Sequence, residues 1–306
     1  MKLRNLFWIL FTVAVIAILF LTTDPRPLLN LNLWNFLISN LLFLSSAVVW
    51  AVAWNYVMKD GLKESITLNL ESLTGFFAPA GIGADFLRAY FSKRRGISAT
   101  KALSASFTVK FFKFIIVFFL LLLSILLLAM RSDQVPQYLG VFVTALFLTM
   151  GGAIFILFFR MKKFIRFFQK RFRSLPFEKL YSHMELHFSD LLFKKAIIIT
   201  LILLVSTVFE IFAIDYAFRA INYSLPLLHI FIFSSVINSL VLITFTPQGI
   251  GFVEAGGFFV LSIGYFAVAP TFIGSFLIVW NLVRLWIPAV VGGIIASVDR
   301  RFWVVR

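Results

Sequence analysis

The sequence predicts an all-α polytopic membrane protein made of two inverted repeats, each interrupted by a broken, re-entrant segment. Of the 306 residues, 61% are hydrophobic and only 13% are charged, and the mean hydropathy is +0.99. Soluble domains contain about 25% charged residues, so this composition indicates a chain that lies mostly in lipid. Apolar runs of membrane-crossing length and one duplicated helix-breaking motif complete the prediction.

A helix needs about 20 apolar residues to cross the hydrocarbon core of a bilayer. Six runs meet this requirement: 5–23, 33–57, 103–130, 137–159, 191–218 and 269–297. The first run resembles a signal peptide, but its apolar core is long and no small-residue cleavage site precedes Asp24, so we expect a retained helix. With the two broken segments included, we expect about six to eight transmembrane helices.

The duplicated motif is Pro79-Ala-Gly81-Ile-Gly83-Ala-Asp85 in the first half and Pro247-Gln-Gly249-Ile-Gly251-Phe-Val-Glu254 in the second. Proline and paired glycines break helices, and a broken helix persists in a bilayer only where protein or a water-filled cavity satisfies its backbone groups. The copies interrupt segments 66–91 and 226–266. Such paired interruptions are typical of transporters built from inverted repeats, so we predict a substrate-binding site at the two breaks.

The net charge of +15 reflects basic residues that flank the spans, as the positive-inside rule expects. This distribution predicts cytoplasmic termini and a basic cytoplasmic loop at 160–195. Basic and aromatic residues alternate in this loop, which predicts either contact with anionic lipid headgroups or an ordinary positive-inside loop without a specific lipid, and not binding of nucleic acid. We divide the chain into a first repeat (1–130), a fourth helix with the loop (131–190) and a second repeat (191–306).

Each half contains three crossings and one broken segment, and an odd number of crossings places the second half upside down. The two hairpins should then open from opposite sides with their tips near the bilayer middle. Helix N-termini at the tips would present unpaired N–H groups and partial positive charge to an anion. Charge alone does not separate re-entrant hairpins from fully spanning ones.

Ionisable groups inside a bilayer are costly, so each needs a partner or a role. Asp85 and Arg88 are three residues apart on one helical face, which predicts a pair that is either a structural salt bridge or part of the substrate site. Arg284, with Asn281 one turn before it, lies near the middle of the last span, and Glu254 is its expected partner. Arg284 could instead receive a lipid phosphate.

Lys110 and Lys113 share one face of the third span. Two interpretations remain open: the side chains extend to the inner membrane surface, or they form a cationic wall along which a phosphate headgroup moves.

The chain contains no Cys, and no catalytic motif or nucleotide fingerprint is present. His183 and His187 are interpreted as solvated loop residues. We therefore expect no cofactor, no metal and no catalysis by this chain alone.

At its two breaks and at Asn281-Leu-Val-Arg284-Leu-Trp-Ile-Pro288, the sequence resembles the lysylphosphatidylglycerol synthase transmembrane-region family of flippase-like membrane proteins. The resemblance covers nearly the whole chain. It implies the movement of an aminoacylated phospholipid, or of another phospholipid or isoprenoid lipid, between leaflets. Full-length synthases carry a cytoplasmic lysyltransferase domain after this region, so the resemblance implies the translocating part alone.

Three functions follow as hypotheses. The first is a lipid flippase of a prokaryotic inner membrane, whose substrate headgroup enters between the hairpins while its tails stay in the bilayer. The second is a non-transporting accessory subunit that holds a lipid-modifying synthase or glycosyltransferase at the membrane. The third is a membrane-embedded transferase.

Overall fold

The computed structural model describes residues 26–77, 83–130, 136–159, 182–183, 193–243, 249–266 and 268–299. Every regular element within these ranges is helical. The elements are α1 (Arg26–Leu29), α2 (Leu33–Met58), α3 (Leu62–Ser72), a 3₁₀ turn (Leu73–Phe77), α4 (Gly83–Arg94), α5 (Ala99–Ala129), α6 (Gln137–Phe159), α7 (Phe193–Ala220), α8 (Leu227–Ile243), α9 (Phe252–Ser262), α10 (Pro270–Asn281), a π-helical turn (Leu282–Trp286) and α11 (Ile287–Val298).

Four helical stretches are long and apolar enough to cross a membrane: Leu33–Met58, Ala99–Ala129, Lys194–Ala220 and Pro270–Val298. They coincide with four of the six predicted spans, and α6 occupies a fifth. The sixth, at 5–23, lies outside the described residues. The prediction of an all-α polytopic membrane protein is therefore confirmed. The division of the chain into three parts remains a prediction.

The first broken segment consists of short arms. α3 has 11 residues and α4 has 12, so at 1.5 Å per residue each arm is roughly 16 to 18 Å long. That length is well below the roughly 30 Å of a bilayer core and favours a re-entrant hairpin. The two arms pack against each other. Beside the tip, a β-carbon on Gly75 of the 3₁₀ turn would be only 2.5 Å from the backbone carbon of Gly83.

The second broken segment pairs α8, of 17 residues, with α9, of 11 residues. Both tips of the predicted hairpins, at 78–82 and 244–248, lie outside the described residues. The two glycines of the second motif, which directly follow this tip, have left-handed backbone angles, with φ of +75° at Gly249 and +89° at Gly251. A residue with a β-carbon is strained in this conformation, which explains why the motif contains glycines there.

The two halves are joined most extensively where α2 packs against α7. Hydrogen bonds run along this contact from Asn32 N–H to the carbonyl of Ala220, and from the Ser39 hydroxyl to the carbonyl of Ala213 at 2.7 Å. Hydrogen bonds between helices are a main source of association in lipid, where no hydrophobic effect drives helices together. The halves are thus held by specific polar contacts.

Candidate functional site

Asp85 lies in the first turn of α4, directly after the first break, and is 1% exposed. It accepts a 2.9 Å hydrogen bond from Nη1 of Arg88, which confirms the pair expected from their spacing. It also forms an ion pair with Lys110 of α5. We call these three residues the Asp85 centre. Because it holds one carboxylate and two cations, the centre has a formal charge of +1.

Arg88 is held in place by neutral groups as well. Nη1 donates to the Ser106 hydroxyl at 2.9 Å and Nη2 to the Ser72 hydroxyl at 3.1 Å. The guanidinium lies over the ring of Trp50, with Cζ 4.3 Å from the ring centroid, an arrangement that stabilises a cation away from water. Arg88 therefore has a fixed position, whereas the side chain of Lys110 is 23% exposed.

Glu254 occupies the corresponding place after the second break, in the first turn of α9, and is 0% exposed. Its carboxylate accepts a 2.6 Å hydrogen bond from Nη2 of Arg284, as the sequence predicted, and Arg284 Nε donates to Asn281 at 2.9 Å. We call Glu254, Arg284 and Asn281 the Glu254 centre. Because it holds one carboxylate and one guanidinium, this centre has a formal charge of zero.

The prediction that the helix ends would offer unpaired N–H groups is wrong for the N–H of Gly251, directly before α9. The N–H of Gly251 donates to the side chain of Glu254, which folds back to form a capping interaction. A helix leaves its first N–H groups without partners inside the helix, and a glutamate at this position satisfies one of them. The carboxylate of the chain itself thus stands where we expected a substrate anion.

The two centres share one arrangement. In each, the carboxylate in the first turn after the break pairs with a cation on the next long helix, Lys110 for Asp85 and Arg284 for Glu254. The internal repeat therefore extends beyond the Pro/Gly motif to the ion pairs. Sequence reasoning found the second of these pairs and missed the first, although the same order of break, acid and later cation could have identified it.

Lys113 pairs with Glu210 of α7 at 2.8 Å and with the hydroxyl of Thr207 at 2.8 Å. Glu210 also accepts a 3.0 Å hydrogen bond from Ser46 of α2. Contact of Lys113 with a phosphate headgroup stays a prediction. The interpretation that it extends to the membrane surface is wrong, because this side chain is 7% exposed and its charge is paired inside the protein. It joins α5 to α7 across the two halves.

Arg284 lies in the π-helical turn, where the N–H of Ile287 bonds the carbonyl of Leu282, five residues back. Pro288 explains this local geometry. It has no N–H to donate to the carbonyl of Arg284, so the regular α-helical pattern is interrupted at that point. π-helical turns occur frequently at functional sites, and this one places the guanidinium of Arg284 against Glu254.

The last span, formed by α10, the π-helical turn and α11, contacts both broken segments. On α10 and the π-helical turn, Leu277 lies against Gly257 and Arg284 bonds Glu254. On α11, a β-carbon at Gly292 would be 2.6 Å from the carbonyl oxygen of Leu70. The second segment therefore packs along the first part of the span, and the first segment packs along its last part.

The remaining predicted site residues, Pro79, Gly81 and Pro247, lie outside the described residues. Substrate contact by these and by the two centres stays a prediction.

A family model described as the lysylphosphatidylglycerol synthase TM region matches residues 6–292. No curated protein and no solved structure matches the chain significantly.

Proposed function

The chain belongs to the lysylphosphatidylglycerol synthase transmembrane-region family, and from this premise we propose that it moves a lipid with an anionic or aminoacylated headgroup between leaflets. A phospholipid or a polyprenyl-linked lipid would fit this description. The membrane would be the inner membrane of a prokaryotic cell, with both termini cytoplasmic. The proposal goes beyond the membership of the family, which indicates only a lipid-related role in the membrane.

The observation that carries the proposal is the pair of buried ion centres at equivalent places after the two breaks. Ionisable groups at membrane depth are expensive and mark substrate pathways in transporters. The Asp85 centre has a surplus positive charge, and its Lys110 is the partly exposed cation. A headgroup phosphate would bind there by competing with Asp85 for Lys110 and Arg88, both of which are good phosphate partners.

The carboxylates give the empty protein a defined resting state. Removing one partner of a buried ion pair typically costs about 3–5 kcal/mol, because the other charge is left without compensation. Asp85 and Glu254 prevent this cost when no lipid is bound. As the headgroup enters, its phosphate replaces a carboxylate as the partner of the cations, while its tails remain in the bilayer. Rocking of one half against the other would then expose the headgroup to the opposite leaflet.

The test is lipid exchange in liposomes that contain the reconstituted protein and a labelled anionic lipid. We expect Lys110→Gln to slow leaflet exchange at least about tenfold, since one charge-assisted contact to a phosphate contributes about 1.5–3 kcal/mol. Lys110→Arg should restore most of the rate. Glu254→Gln and Arg284→Ala should also slow exchange.

The matched control is Arg219→Gln. Arg219 pairs with Asp215 at 2.9 Å near the end of α7, but it is 50% exposed and lies in neither centre, so exchange should keep the wild-type rate. Wild-type exchange no faster than that of empty vesicles, across phospholipids and polyprenyl phosphates, would contradict the proposal and favour the accessory-subunit function.

A further inference from the structure

A third buried charge cluster lies away from both centres, where the first broken segment meets the end of the last span. Arg95, in the turn after α4, contacts three carboxylates: Glu64 at 3.0 Å, Glu71 at 2.7 Å and Asp299 at 2.5 Å. We call these four residues the Arg95 cluster. A basic residue in a turn is normally solvated, but the side chain of Arg95 is only 5% exposed.

The composition of this cluster requires an explanation. One guanidinium faces three carboxyl groups, and Glu71 and Asp299 both bond the same nitrogen of Arg95. Their bonded oxygens therefore lie close together around one nitrogen atom, and the two side chains are only 2% and 15% exposed. Two buried carboxylates this close repel each other, and a proton on one of them removes the repulsion and can be donated to the other.

The cluster connects the two halves of the protein. Glu64 and Glu71 belong to α3 and Arg95 follows α4, so these three residues lie in or next to the first broken segment. Asp299 directly follows α11 at the end of the last span. Next to the cluster, a β-carbon on Gly293 would lie 3.5 Å from the side-chain methyl group of Thr74. Movement of one half against the other has to separate these groups.

We propose that the Arg95 cluster is a proton-binding latch, in which a proton shared by Glu71 and Asp299 fastens the first broken segment to the last span. Loss of that proton to the solvent leaves two adjacent carboxylates that repel each other, and the contact opens. The proton is the ligand of this site, and no other reactant is needed.

The surroundings of Glu71 support this assignment. Glu71 lies outside the four long apolar helices, at the end of the molecule where α5 begins and α11 ends. Burial raises the pKa of its carboxyl group from the ordinary value of 4.5 to about 7; Arg95 opposes the rise and Asp299 adds to it. A raised pKa means that the folded protein favours the protonated carboxyl, so this contribution to stability is present at low pH and is lost as the pH rises through about 7.

The charged groups around Glu71 can be named element by element. On α3 the second acid is Glu64; the turn after α4 supplies Arg95 and the end of the last span supplies Asp299. The 3₁₀ turn Leu73–Phe77 and α11 contain no titratable residue. Near the end of α2, Asp60 pairs with Lys101 at 3.6 Å. On α4, Arg88 donates to Ser72, the residue after Glu71.

The latch can be tested by cross-linking, because the chain contains no Cys. Thr74→Cys and Gly293→Cys place two thiols on opposite sides of the contact, and the initial rate of disulfide formation in liposomes reports how often the contact is closed. With a pKa of about 7, the protonated fraction of Glu71 falls about tenfold between pH 6 and pH 8. The same pair in a Glu71→Gln background, which cannot ionise, corrects for the pH dependence of the thiols.

We divide the rate of disulfide formation with Glu71 present by the rate in the Glu71→Gln background. We expect this ratio to fall several-fold from pH 6 to pH 8. Asp299→Asn should abolish this dependence as Glu71→Gln does, and it replaces Glu71→Gln as the reference if that variant does not fold. Glu64→Gln is the matched control: it removes another carboxylate of Arg95 but keeps the Glu71–Asp299 pair, so the dependence should persist. If the rate of disulfide formation changes with pH by the same factor whether residue 71 is Glu or Gln, the latch is overturned.

A link from the latch to transport rests on the proposed function, and the two can fail separately. Lipid exchange should change with pH in the wild type and not in Glu71→Gln. If cross-linking changes with pH only when Glu71 is present and no lipid exchange occurs, the latch stands and the proposed function fails. If exchange occurs and cross-linking does not respond to Glu71, the latch fails and the proposed function stands.

Discussion

At the scale of single residues, the buried pair of Lys113 and Glu210 shows what an intramembrane charge costs. Lys113→Met should destabilise the protein by about 3–5 kcal/mol, since it leaves Glu210 without its cation in a low-dielectric environment. Adding Glu210→Gln should recover most of that loss, because no charge then remains uncompensated. Thermal unfolding in detergent measures both variants. A double variant as unstable as Lys113→Met alone would contradict this account of the pair.

At the scale of elements, two adjacent glycines of α11 distinguish close packing from ordinary contact. A β-carbon at Gly292 would lie 2.6 Å from the backbone oxygen of Leu70, whereas one at Gly293 would meet only the methyl group of Thr74 at 3.5 Å. Gly292→Ala should therefore force α11 away from the first broken segment and cost about 1–3 kcal/mol.

Gly293→Ala is the control and should leave stability within about 0.5 kcal/mol of the wild type. The melting temperatures of the two variants test this difference. If the alanine at 292 is tolerated as well as the one at 293, the close approach of α11 to α3 is not a constraint on the fold.

The spans and some of the ion pairs could be predicted from the sequence alone. Hydropathy located the spans, and the pairs Asp85–Arg88 and Glu254–Arg284 followed from local spacing and from the scarcity of charges in lipid. The partners of Lys110 and Lys113 could not be predicted in the same way. They depend on which faces of α4, α5 and α7 pack together, and strongly apolar helices show no periodicity that reveals those faces. The Arg95 cluster was missed because a basic residue in a turn is normally solvated.

At the scale of the whole molecule, the ion pairs divide into two kinds. The Asp85 and Glu254 centres each lie within one half, whereas Lys113–Glu210 and the Arg95 cluster join the halves. If transport is the rocking of one half against the other, groups within a half keep their geometry and contacts between the halves must break. The candidate lipid site and the contacts that control its exposure are therefore separate sets of residues.

This separation predicts the effect of a covalent lock between the halves. With Thr74→Cys and Gly293→Cys oxidised to a disulfide, the first broken segment cannot leave the last span, so lipid exchange in liposomes should fall at least about tenfold. A reductant should restore it, because the ion centres are untouched. Each single-cysteine variant, treated with the same oxidant, controls for damage to other residues. Exchange at the wild-type rate with the disulfide fully formed would mean that the halves do not move apart at this contact during transport.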